Sequence, residues 1–191
     1  MRSVLFACLC MCALSAHAED DFPIPEGYVL QRLDPTDGRI AKPKEWFYTS
    51  GGTPSGWLWT LSAEDPSKGG YETGLRIQLL VGVEKATKGS TEAFAQNFLR
   101  QKRESANVVG ECPAVDQGQF KRQCLEVIES IQRPKGTATF HVLYSVFWGT
   151  KLDMVVVNTF GAPEEKWQSV ASASKVMANA EVIGANYGKQ R

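Results

Sequence analysis

The stretch Thr139-Phe140-His141-Val142-Leu143-Tyr144-Ser145-Val146-Phe147-Trp148 decides the fold. In an extended chain successive side chains point to opposite faces, so Phe140, Val142, Tyr144, Val146 and Trp148 share one face and His141, Leu143, Ser145 and Phe147 the other. Both faces are largely apolar. Such a strand belongs in the middle of a sheet with something packed on each side. Short turns at Pro134-Lys135-Gly136 and Gly149-Thr150-Lys151 join it to extended segments at 122–131 and 152–160, and short connections make the three an antiparallel meander.

Two amphipathic segments supply the covering layers. Ser90 is a good N-cap for a helix over 91–105, in which Phe94, Ala95, Phe98 and Leu99 fall at helical spacing. Pro163, Glu164 and Glu165 have the chemistry of a helix start, and Trp167, Val170, Ala171, Ser174, Met177 and Ala178 share one face of the helix that follows, with Gly184 as its expected stop. Upstream, Leu75, Ile77, Leu79, Val81 and Val83 recur every second residue and predict a strand buried on one side. Segments 28–33 and 39–41 flank Asp34-Pro35-Thr36-Asp37-Gly38, a hairpin signature. Trp46, Phe47 and Tyr48 come next, followed by a Gly- and Ser-rich turn over 50–56, a strand over 57–61 and a loop over 64–70. The expected class is α+β: one antiparallel sheet covered by helices.

The 191 residues carry 21 basic and 21 acidic side chains, with 43% hydrophobic and 22% charged. A net charge of zero without like-charge blocks argues against binding nucleic acid or an anionic membrane surface. Residues 1–18 read as a secretory signal peptide: Arg2 near the start, an apolar run over 4–14, then Ala16-His17-Ala18 at the cleavage positions. That run is shorter than the roughly 20 residues a bilayer span requires, so no transmembrane segment is expected in the mature chain. Residues 19–27, with Pro23 and Pro25, form an extended arm; 28–184 form a single domain; 185–191 are a tail. The expected location is periplasmic or secreted.

Cys8, Cys10 and Cys12 leave with the leader, so Cys112 and Cys124 remain. Pro113, Asp116 and Gly118 between them suit a reversing turn, and two cysteines in an exported chain predict one structural disulfide. Neither a Cys-x-x-Cys spacing nor a local histidine marks them as reactive thiols.

The order of hairpin, Pro43-x-x-Trp46 entry, long strand, helix, antiparallel meander and terminal helix resembles the PsbP-like fold, shared by the photosystem subunit PsbP, the Ran-binding protein Mog and envelope proteins such as DcrB. The resemblance covers about residues 28–183 and implies a helix–sheet–helix sandwich whose members act as adaptors, assembly factors and binding subunits. Fold alone does not assign a function. This chain departs from the family in carrying its own cysteine pair and in lacking the histidine cluster with which some photosystem members bind metal.

Chemistry-bearing residues are sparse. After removal of His17 with the leader, His141 is the one histidine, too few imidazoles for a His-based zinc site. No Gly-x-Ser-x-Gly elbow, P-loop or Gly-x-Gly-x-x-Gly is present. Glu126 and Glu129 differ by an odd number within one strand, so they point to opposite faces and do not form a carboxylate pair. No catalytic, cofactor-binding or metal-binding residue is therefore expected. The aromatic group Trp46, Tyr48, Trp57 and Trp59 remains, as a corner of the core or as a contact patch for a protein partner. Three functions stand: a non-catalytic exported binding or assembly protein, a periplasmic immunity protein that neutralises a secreted toxin, and an envelope hydrolase with His141 as base.

Overall fold

In a computed structural model, which describes residues 22–133 and 136–184, nine strands and three helices follow one another along the chain. The signal peptide read over 1–18, with its three cysteines and His17, the first residues of the arm and the tail over 185–191 lie outside the described residues. Strands β1 (Tyr28–Leu33) and β2 (Gly38–Pro43) form a separate antiparallel hairpin. Strands β3 (Phe47–Thr53), β4 (Gly56–Ser62), β5 (Gly74–Val81), β6 (Asn107–Gln117), β7 (Phe120–Arg133), β8 (Gly136–Gly149) and β9 (Met154–Pro163) build one seven-stranded sheet in the order β3-β4-β5-β9-β8-β7-β6. Every pairing in it is antiparallel.

Both faces of β8 are covered, as its two apolar stripes require. Helix α2 (Thr91–Ser105) lays Ala95 and Leu99 on Leu125, Val127, Phe140, Val142, Tyr144, Val146 and Trp148. The opposite face packs Leu33 and Ile40 of the hairpin and Trp167, Ala173 and Met177 of helix α3 (Trp167–Met177) against Trp59, Leu61, Ile77, Leu79 and Phe160. Burying each of these large apolar side chains contributes about 1.5–3 kcal/mol, which makes the two layers the main source of stability. Helix α2 has the bounds its cap dictates: the Ser90 hydroxyl accepts from the Ala93 N–H at 3.1 Å.

Four local expectations are corrected. The turn expected over 50–56 is confined to Pro54 and Ser55, because Ser50, Gly51 and Gly52 continue β3 as an edge strand that, among the described residues, has a strand partner on one side. Gly56, at φ 151°, starts β4 so close to the Leu79 carbonyl that no side chain fits. Val83 does not end the strand; it opens a short helix, α1 (Val83–Thr87), after Gly82 turns the chain at φ 74°. The reversing turn expected between Cys112 and Cys124 is present but confined to Gly118 and Gln119, because β6 runs through Pro113 and Asp116 and pairs with β7, which lengthens the meander by one strand. Finally, α3 ends at Met177, well before Gly184. Beyond it Glu181 forms an antiparallel bridge with Arg39 of β2, the Thr36 hydroxyl donates to the Val182 carbonyl at 2.6 Å, and Gly184 N–H donates to Thr36 O at 2.9 Å. Those backbone partners on the first hairpin replace further helical bonds.

Candidate functional site

The aromatic corner is built where the hairpin, β3 and β4 meet. Trp59, on β4, is fully buried beneath the hairpin and its indole N–H donates to the Asp34 carbonyl at 2.8 Å. Trp46, Tyr48 and Trp57 are half-buried and pack on the same cluster. Trp46 stacks on Phe160 with ring centroids 6.1 Å apart, and its carbonyl accepts from the Lys42 ammonium at 2.6 Å. Burial lowers the Lys42 pKa from its ordinary value, with Glu45 opposing. The Tyr48 phenol is raised above its ordinary value, chiefly by burial. Trp57 lies over Gly52 across the β3–β4 ladder, filling the space a side chain would take there. Phe47, between Trp46 and Tyr48, is 41% exposed. One of the four aromatic residues singled out in the sequence is thus interior, and three are half-buried.

His141 lies elsewhere, on β8 under the start of α3, and is 8% exposed. Its ring lies parallel to the Trp167 indole, Nε2 is 2.6 Å from Glu126 Oε1, and Nδ1 is 3.0 Å from Glu164 Oε2. Both nitrogens are engaged by carboxylates, and neither is directed at a hydroxyl nucleophile. The arrangement ties three elements together: Glu126 from β7, His141 from β8 and Glu164 from the turn of 3-10 helix before α3. Glu129 is on the opposite sheet face, as its odd spacing from Glu126 requires, where it accepts from the Tyr144 hydroxyl at 2.8 Å and from Lys102 Nζ at 3.3 Å. The Tyr144 phenol is pushed far up by burial first and by Glu129 second.

Sequence reasoning did not find Glu126 and Glu164 around His141. A signal for Glu126 was present: with Arg133 opposite Gly136, the β7–β8 ladder sets Ile128 opposite His141 and brings Glu126 diagonally beside it. Among the described residues no group of His, Cys, Asp and Glu has the arrangement to hold a metal ion, and no helix is long and apolar enough to cross a membrane. Cys112 and Cys124 face one another across β6 and β7 and are disulfide-bonded, with Cα atoms 5.0 Å apart.

The chain is similar to the Ran-binding protein Mog1p of Saccharomyces cerevisiae, at 13% identity and a TM-score of 0.50 over 83% of this chain and 97% of that one. It is also similar to the cyanobacterial PsbP (CyanoP) of Synechocystis sp. PCC 6803, at 13% identity and TM-score 0.46 over 80% and 89% of the two chains. LpqN of Mycobacterium tuberculosis, involved in cell envelope biogenesis, matches at 12% identity and TM-score 0.46 over 81% and 89%. No family model and no curated protein matches the sequence. The likeness is one of fold: a large antiparallel sheet layered with helices, the PsbP-like α+β architecture that the element order predicts.

Proposed function

We propose that this chain is an exported, non-catalytic binding or assembly protein of the bacterial envelope, and that it holds a protein partner on the aromatic corner. One observation carries the proposal: Trp46, Tyr48 and Trp57 stay half-buried on one face at the margin of the sheet, where Trp59 beside them is fully enclosed. Large, partly exposed aromatic side chains are the residue types that dominate protein contacts. The leader read over 1–18 and the Cys112–Cys124 bridge favour export. Mog1p, a Ran-binding protein, is a precedent for this fold as a protein-binding scaffold. The engagement of both His141 nitrogens by carboxylates supports a structural histidine over a hydrolytic base.

The test is site-specific photo-crosslinking in the periplasm of cells that export the chain. A photoreactive residue in place of Trp57 should give one discrete adduct with another protein, and the same residue in place of Glu104, on the exposed side of α2, should not. Adducts of equal yield from both positions, or from neither, would remove the corner as a recognition site.

A further inference from the structure

The two ends of the seven-stranded sheet are treated differently by the sequence. A free edge strand presents a row of unpaired N–H and C=O groups, which proteins blunt with proline, charge or bulges. At one end β6 has all three: Pro113, Glu111 and Asp116, and breaks in register between Val108 and Gly110 and between Cys112 and Val115. At the other end β3 reads Phe47-Tyr48-Thr49-Ser50-Gly51-Gly52-Thr53, with no charge, no proline and an unbroken ladder to β4. Among the described residues no strand pairs with its outer side. The two-residue turn at Pro54 and Ser55 makes Thr53 and Gly56 the first hydrogen-bonded pair of the hairpin. Alternation along an antiparallel ladder then turns the N–H and C=O groups of Tyr48, Ser50 and Gly52 outward.

We propose that β3 pairs antiparallel with β3 of a second copy of this chain, about a two-fold axis at Ser50, so that two sheets become one. The strand is its own complement in that register. Tyr48 falls opposite Gly52 of the second copy, Ser50 opposite Ser50, and every outward-facing backbone group finds a partner, whereas a shift of two residues in either direction leaves one pair out. An uncharged strand meets itself without like-charge repulsion. An isologous contact of this kind closes at two copies, and the blunted β6 edge prevents growth from the far side. Because the two-fold axis runs perpendicular to the sheet, both aromatic corners lie on the same side of the joined sheet and adjoin across the seam.

Sedimentation of the purified exported chain over a concentration series, with amide exchange followed residue by residue, tests this inference. The expected result is a dimer mass at high concentration, with exchange at Tyr48, Ser50 and Gly52 slowing as the dimer forms. Ser50→Pro removes an outward N–H without removing a bond to β4, and it should sediment as a monomer with an unchanged far-ultraviolet spectrum. If that variant fails to fold, the exchange pattern of the unaltered chain still decides. A monomer at every concentration would overturn the inference, as would a dimer in which those three amides exchange as fast as in dilute protein. A crosslinked species of twice this chain's own mass reports the seam and one of any other mass reports a partner, so the two experiments are read apart.

Discussion

The imidazole of His141 lies flat on the indole of Trp167, with ring centroids 3.9 Å apart and planes 2° from parallel. Since Trp167 is the first residue of α3 and Glu164, on the preceding turn, bonds the same imidazole, this one stack fixes where the covering helix begins. Trp167→Ala should therefore cost about 3–5 kcal/mol, the usual range for emptying a buried tryptophan site. Denaturant unfolding measures that loss. The His141 ring-proton resonances, shifted by the stacked indole in the native protein, should move to ordinary positions in the variant.

Tyr144 sets an alkaline limit. Its phenol is raised by burial and by Glu129, whereas a tyrosine in the unfolded chain ionises near pH ~10. A group whose folded pKa lies above its unfolded value contributes stability that is intact below the unfolded value and is lost as pH rises beyond it. Unfolding should become easier above about pH 10, and Tyr144→Phe should flatten that decline while costing about 1 kcal/mol at neutral pH for the lost hydrogen bond. Stability measured from pH 7 to 11 in both proteins checks the sign.

The cap of α2 is a single hydroxyl. Ser90→Ala removes the acceptor for the Ala93 N–H and should lower stability by about 1 kcal/mol, with Ser90→Asp close to wild type. Thermal melts of the three proteins decide between a working cap and an incidental contact.

The Cys112–Cys124 bridge closes a short loop, with a sequence separation of 12. In the chain-entropy picture such a loop contributes about 2–3 kcal/mol. The double variant Cys112→Ser/Cys124→Ser should melt at a lower temperature and keep its sheet signal, because the layers on either side of β8 hold most of the buried area. Complete unfolding of the variant at room temperature would contradict that assignment.

Local signals carried the parts of the fold that are set locally. The bounds of α2 were legible because Ser90 and the Phe94–Leu99 stripe are contiguous, and the central place of β8 because its two apolar faces alternate without a break. The strand β6 was not legible: Gly110, Pro113 and Asp116 are turn chemistry by composition, and an edge strand tolerates them because only one side must pair. At the aromatic corner the four residues could be named but not ranked. Trp57 and Trp59 share a face, yet only Trp59 lies under the hairpin, and the position of that hairpin is a tertiary fact. The surroundings of His141 depend in the same way on the β7–β8 register and on the path of the chain into α3.

The bonds from Glu181, Val182 and Gly184 to Arg39 and Thr36 tie the last described residues to the first hairpin. A chain that emerges amino end first pairs β1 with β2 early but supplies the outside partners of Thr36 and Arg39 only after the seven sheet strands. The hairpin therefore waits, half-anchored, until residues 181–184 arrive, and a protein cut short before Glu181 would carry an unfastened flap over an otherwise assembled sheet.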